Sequence, residues 1–229
     1  MVLLLGAMNE EISAFLNSSI NPKEIIWNGF KCYESILNGR EVCVAKTGVG
    51  KAMSALYTQH LIETYKPDCL IFTGLAGAIN PDYKIGDIML VKECVQYDLD
   101  AREFGFKLGE IPFTPYRFFQ SDNKLLNLAL KSTRTTGPVQ TGRVLTGDSF
   151  ISSKNRAKFE SAFKELNGDA VEMEGAGVAL AASVNKTPFL IIRIISDKAD
   201  GSAPSDFSSF LHSAGEKALN IVSALLERL

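Results

Sequence analysis

The chain opens on four consecutive apolar residues, Val2, Leu3, Leu4 and Leu5, stopped by Gly6. A short apolar run bounded by glycine reads as a strand buried on both faces. A helix is expected from about Asn9, carrying Phe15 and Leu16. Residues 31–37 and 41–46 flank Asn38-Gly39, a two-residue hairpin signal. Thr47-Gly48-Val49-Gly50 leads into a helix over residues 51–65, which Pro67 stops. Residues 69–73 form another buried strand, followed by a loop over residues 74–78 (GLAGA). A long strand over 86–97 precedes an irregular, Phe- and Pro-rich stretch at 101–120. Then come a helix at 125–132, a strand at 139–146, a helix at 153–166 and a short strand at 170–173. An Ala-rich helix covers 175–185, and a strand of β-branched character covers 189–196. The last helix, residues 205–229, sets Phe207, Phe210, Leu211, Ala214, Ala218, Ile221, Val222, Leu225 and Leu229 at helical spacing.

Strands alternate with helices, and no linker, repeat or low-complexity stretch divides the chain. The expected fold is one α/β domain over residues 1–229, a three-layer α/β/α arrangement around a central mixed, twisted sheet. Ligands in such folds gather at the carboxyl ends of strands. The turns at Gly6, Gly48–Gly50, Gly74–Gly77 and Gly147 lie there, as do Glu174 and Asp197.

Composition narrows the function classes. The 229 residues are 46% hydrophobic and 22% charged, with net charge -2, which is ample for a core. No long basic run exists, which argues against nucleic acid. No stretch nears the roughly 20 apolar residues that cross a membrane, and the opening run is too short for a signal peptide, so the expected compartment is the cytoplasm. Cys32, Cys43, Cys69 and Cys94 form no CxxC pair and read as buried reduced thiols rather than a metal site. His60 and His212 read as packing or surface residues.

The candidate chemistry is acidic. Glu10 and Glu11 open the first helix, where negative charge is favoured in any case, and Asp197 ends the last strand. Acids at opposite ends of the sequence cooperate only if the fold unites them. One acting as acid and the other as base then suffice to split a glycosidic bond with water. Glu172 and Glu174 straddle Met173 and share a face. Arg193 lies inside an apolar strand and needs an acidic partner. It reads either as a structural ion pair or as part of a site, with Ile195 and Asp197 on its face by alternation. TGVGK (47–51) lacks the spacing and the Ser/Thr of a phosphate loop. It is either a tight turn or a place where backbone approaches a ligand.

GAMNEE, TGVGK, GLAGA with GDIMLV, YDLDAREFG, GDSFI, VEMEG and RIISD, in this order, resemble the bacterial 5′-methylthioadenosine/S-adenosylhomocysteine nucleosidases of the purine nucleoside phosphorylase superfamily. The resemblance covers almost the whole chain. It implies Glu11 as the base that orients the attacking water and Asp197 as the acid that protonates the purine. Glu174 would bind the ribose hydroxyls, Met173 would pack on the sugar, and Arg193 would support water and acid. Phe150 would stack on adenine, with the backbones of Ile151 and Gly77 nearby. Ala76, Glu172 and Ser196 complete the implied substrate set. Met8, Val49 and Phe207 would wall the 5′-substituent pocket. The neighbouring subunit of a homodimer would finish that pocket through Ala101, Phe104 and Pro112. Leu75 stands where the family often has serine, Ala101 where valine is common, and Gly175-Ala176-Gly177 is a looser helix start than usual.

The implied reaction is hydrolysis of the N-ribosidic bond to adenine, without metal or organic cofactor. Asp197 would need a raised pKa, which burial supplies. Three rivals stand beside it: phosphorolysis, hydrolysis of a 6-amino-6-deoxyfutalosine-type nucleoside, and non-catalytic nucleoside binding or storage. Phosphorolysis needs several cations, and only Arg193 and perhaps Lys46 or Lys51 are candidates.

Overall fold

The opening apolar run forms β1 (Val2–Gly6), buried throughout. Alternation sends Leu3 and Leu5 into one core and Val2 and Leu4 into another, so helices must cover both faces. The computed structural model describes residues 1–132, 139–200 and 207–229, with side chains of the last stretch described from residue 209. In chain order the following elements are α1 (Asn9–Ser18), β2 (Ile20–Trp27), β3 (Phe30–Leu37), β4 (Arg40–Lys46), α2 (Lys51–Tyr65), β5 (Cys69–Ala78) and β6 (Ile88–Gln96). A 3₁₀ turn, Arg102–Phe104, precedes β7 (Phe119–Gln120), α3 (Asn123–Ser132), β8 (Val139–Thr146) and α4 (Arg156–Leu166). The chain continues through β9 (Ala170–Glu172), α5 (Gly175–Val184), β10 (Phe189–Asp197) and α6 (Phe207–Leu226).

Ten strands join one mixed sheet. The first core packs α2 and α5 on one face, through Tyr57, Leu61, Val178 and Ala182. The second packs α1, α3 and α6 on the other, through Phe15, Leu125, Ala218 and Val222. A third holds Phe163 and Leu166 of α4 against Tyr97 and Leu145. These layers match the α/β expectation. One refinement is closure. β5 pairs with β1 over Cys69–Phe72 and with β9 at Gly77 and Ala78, while β10 runs along its other edge. The pairings β5–β10–β6–β8–β9–β5 complete a ring. Strand β5 therefore lies between the first strand and the last, which unites the two ends of the sequence.

Three elements differ from the sequence expectation. The stretch read as a loop, 74–78, is the second half of β5; Arg193 pairs with Gly74 and Asp197 with Gly77. Its small residues oppose strand formation, but neighbours on both edges satisfy its backbone. Strand β2 was not anticipated, because it is an exposed edge strand with no apolar alternation. Its turn carried a signal nonetheless: Asn28 (φ 47°) and Gly29 (φ 85°) repeat the left-handed pair seen at Asn38 (φ 49°) and Gly39 (φ 74°). Both match a hairpin turn that needs positive φ at two positions. Strand β7, two residues inside the irregular stretch, also went unread.

The cysteine and histidine readings agree with the structure. All four cysteines are free and buried. His60 stacks on Trp27 at 3.9 Å between ring centroids, and His212 is exposed. No helix among the described residues is long and apolar enough to cross a membrane.

The loose start of α5 has a packing cause. A Cβ on Gly177 would sit 2.4 Å from the Lys51 carbonyl oxygen and 2.5 Å from Ser54 Oγ, at the start of α2. Alanine is the better helix former by roughly 1 kcal/mol, but overpacking costs roughly 1–3 kcal/mol. Gly177→Ala should therefore lower the urea midpoint; a raised midpoint would show that α2 and α5 are not in register-limiting contact.

Candidate active site

The ring of strands opens on a cavity of about 450 Å³ at the carboxyl ends of β1, β5, β8, β9 and β10. Glu11, Glu172, Glu174 and Asp197 all line it, and none is more than 8% exposed. Met8, Val49, Ala76, Gly77, Phe150, Ile151, Met173 and Ser196 complete the anticipated residues in its wall. Arg193 lies behind the wall, 1% exposed. Ala101, Phe104 and Pro112 do not line this chain's cavity. Phe207 begins α6, but its side chain lies outside the described residues. Ala7, Leu75, Ser149 and Val171 also line the cavity and were not in the anticipated set. Each of the four adjoins an anticipated residue (Met8, Ala76, Phe150 or Glu172), which is the signal that could have found them.

Glu11 is the third residue of α1. Its Oε2 accepts the N–H groups of Ala7 (2.6 Å) and Met8 (3.0 Å), the return half of a capping box. Its Oε1 accepts Leu75 N–H at 3.2 Å. The helix-start and site readings of Glu11 thus hold together: the helix start aims the carboxylate. Burial pushes its pKa up, while Arg193 and the three backbone donors pull against that rise, leaving it above the ordinary value. Gly74 makes the approach possible. A Cβ there would meet Glu11 Oε1 at 2.8 Å and Arg193 Nη1 at 2.9 Å.

Glu172 is fully engaged within the protein. Arg193 Nη2 donates to its Oε2 at 2.6 Å, the amides of Glu174 (3.0 Å) and Gly175 (2.7 Å) add to the same oxygen, and the Thr146 hydroxyl donates to the other. The guanidinium lies 4.2 Å over the Phe72 ring, a cation–π contact that suits a desolvated Arg. The ion-pair reading of Arg193 is therefore met, inside the site rather than instead of it.

Glu174 precedes α5 and accepts Gly50 N–H at 2.9 Å. Burial, then the neighbouring Glu172 charge, lift its pKa to about 7. Asp197 follows a β-bulge, because the register with β5 shifts between Ile195 and Asp197. A bulge re-aims the residues after it. The strict alternation expected for Arg193, Ile195 and Asp197 ends there, and Ser196 and Asp197 both reach the cavity. Asp197 accepts from Ser196 Oγ and from Ala199 N–H, each at 2.7 Å. A Cβ on Gly77 would lie 2.8 Å from Asp197 Oδ1, so this glycine too marks a close approach.

The site thus holds four buried carboxylates, one buried guanidinium and an apolar wall with an aromatic ring. A family model described as the phosphorylase superfamily matches residues 2–227. The chain belongs to the phosphorylase superfamily. The 5′-methylthioadenosine/S-adenosylhomocysteine nucleosidase of Staphylococcus aureus (strain JH9) is 34% identical over 230 residues, with both chains covered in full. The crystal structure of the Campylobacter jejuni enzyme of the same name is 36% identical, with a TM-score of 0.92 over 100% of this chain and 99% of that one. A futalosine hydrolase structure from Helicobacter pylori is 30% identical, with a TM-score of 0.91 over 100% and 97% of the two chains. Within the superfamily the protein belongs with these nucleosidases and is an N-glycosyl hydrolase.

The Glu174 pKa gives a stability prediction. Its folded value, about 7, exceeds the ordinary 4.5. The folded enzyme therefore holds a proton that the unfolded chain releases over this interval. The associated stability is full below pH 4.5 and is lost as pH rises to 7. Glu174→Gln removes this titration. Relative to the parent, the variant should gain on the order of 2 kcal/mol between pH 5 and pH 8. Denaturation at both pH values checks this, and a pH-independent difference would contradict it.

Proposed function

We propose that the enzyme hydrolyses the N-ribosidic bond of 5′-alkylthio adenine nucleosides, 5′-methylthioadenosine and S-adenosylhomocysteine, releasing adenine and the 5-thioribose product. The observation that carries this reading is the charge of the cavity wall. Among the described residues it presents four carboxylates and no lysine or arginine side chain. Phosphate as nucleophile would need cationic partners. Arg193 is paired with Glu172, Lys51 with Asp98 at 2.5 Å, and Lys46 is exposed outside the cavity. Water needs only a carboxylate to orient it.

In this mechanism Glu11 holds water against the anomeric carbon and takes its proton as the C–O bond forms. Asp197 gives a proton to a five-membered-ring nitrogen of adenine as the C–N bond breaks, so the base leaves neutral. Glu174 fixes the ribose hydroxyls, Met173 packs on the sugar and Phe150 stacks on the base. Glu172 and Arg193 hold the acids in place. Met8 and Val49 give the 5′ end an apolar wall that suits a thioether. The likeness to a futalosine hydrolase favours one second reading, a 6-amino-6-deoxyfutalosine-type substrate on the same machinery.

The homodimer belongs to the same proposal. Val49 and Phe150 line the cavity yet are 52% and 63% exposed, and Phe104 and Phe113 are 83% and 94% exposed. So much exposed apolar and aromatic surface suits a partner, with Ala101, Phe104 and Pro112 reaching the second copy's 5′ pocket. Sedimentation equilibrium should show a dimer; a monomer at micromolar concentration would remove this part.

The decisive assay is incubation with 5′-methylthioadenosine, with and without phosphate, beside a futalosine-type nucleoside. Free adenine and free thiosugar in both buffers are expected. Sugar 1-phosphate would mean phosphorolysis, and cleavage of the futalosine-type compound alone would favour the second reading. Asp197→Asn and Glu11→Gln, which keep shape, should each lower turnover at least about a hundredfold. Near-parental turnover in either variant would remove its assigned role.

A further inference from the structure

Helix α2 begins with the wrong charge. Its first residue is Lys51 and its first turn holds no acid, although a helix N-terminus favours negative charge. The acids come from elsewhere in the chain. Glu174 Oε1 accepts Gly50 N–H at 2.9 Å, and Asp148 Oδ1 accepts Lys51 N–H at 2.8 Å. The Lys51 ammonium turns to Asp98 Oδ1 at 2.5 Å, with Asp148 Oδ2 at 3.7 Å. The other Asp98 oxygen accepts Asp148 N–H at 2.9 Å. Three segments therefore meet at one ammonium: the start of α2, the chain just past β6, and the turn after β8. Lys51 and Asp98 are 17% and 21% exposed, sheltered enough for the contact to survive solvent better than a surface pair does.

This cluster joins two segments that line the cavity. Gly50, which holds Glu174, is bonded to Lys51, and Val49 beside it lines the wall. Asp148 leads directly into Ser149, Phe150 and Ile151, which also line the cavity. We propose that Lys51 is a positioning residue for nucleoside cleavage. Its ammonium, through Asp98 and Asp148, fixes the distance between Glu174 and the wall formed by residues 149–151. The role in cleavage rests on the nucleosidase reading given above; the latch itself does not. It also accounts for the charge of a lysine beside the cavity, which two aspartates take up.

The test compares Lys51→Met, Lys51→Arg and Asp98→Asn with the parent enzyme. Amide exchange of the ligand-free protein reads the latch without substrate. Residues 147–152 should lose protection in Lys51→Met and Asp98→Asn, and regain part of it in Lys51→Arg. With 5′-methylthioadenosine, Lys51→Met should lower kcat/KM roughly tenfold or more, chiefly through KM, the scale expected for a displaced binding wall. Unchanged protection at 147–152 overturns the latch whatever the substrate. Lost protection with KM within about twofold of the parent overturns the positioning role. If Lys51→Met does not fold, Asp98→Asn carries both readouts. A parent enzyme that cleaves no adenine nucleoside would count against the nucleosidase reading, and the exchange result would still decide the latch.

Discussion

One buried guanidinium bears on three of the four buried carboxylates of the site. Arg193 is 1% exposed, bonds Glu172 at 2.6 Å and bears electrostatically on Glu11 and Glu174. Desolvating an ion costs several kcal/mol even after relaxation, and breaking a buried pair leaves that cost unmatched. The surroundings are arranged to hold this cation. Phe72 offers its ring face, Gly74 of β5 removes the Cβ that would strike Arg193 and Glu11, and β10 pairs with β5 so that the two meet. The closure of the sheet follows the same need, since only a strand between β1 and β10 unites acids from both ends of the chain.

The four acids divide the work by their donors. Glu172 accepts from Arg193, a hydroxyl and two amides, which commits it to structure. Glu11 accepts two backbone N–H groups at a helix start and a third from β5, so it is aimed without a cation of its own. Glu174 keeps one amide partner, and burial beside the Glu172 charge raises its pKa to about 7. Asp197 stands after a bulge, bonded to Ser196 and Ala199. Identical side-chain chemistry is thus given different surroundings by local backbone geometry, the condition under which one site can hold both an acid and a base.

Most of the architecture was legible in the sequence, because burial imposes period. The runs at 2–5 and 189–196 and the helical stripe of α6 could satisfy few other structures. The hairpin at Asn38-Gly39 was legible from turn chemistry, and Asn28-Gly29 carried the same information for the missed β2. The stretch 74–78 misled because its glycines serve close approach rather than a turn. Within the site, Glu174 and Asp197 were readable as acids at strand ends and Glu11 as an acid opening the first helix. The engagement of Glu172 was not, since its donors come from β8, α5 and β10. Nor was the bulge at Ser196, which depends on pairing with β5, or the Lys51 cluster, whose aspartates lie 47 and 97 residues away.

The central claim is that the single guanidinium holds the buried Glu11 carboxyl toward its ionised form. A carbon-detected NMR titration of the Glu11 carboxyl tests it most directly, in the parent and in an Arg193→Met/Glu172→Gln double variant. The double change removes both members of the pair and leaves no unpaired buried charge. The account predicts that Glu11 titrates at higher pH in the double variant, because burial then acts without its main opponent. A Glu11 titration that stays in place or moves to lower pH would contradict it.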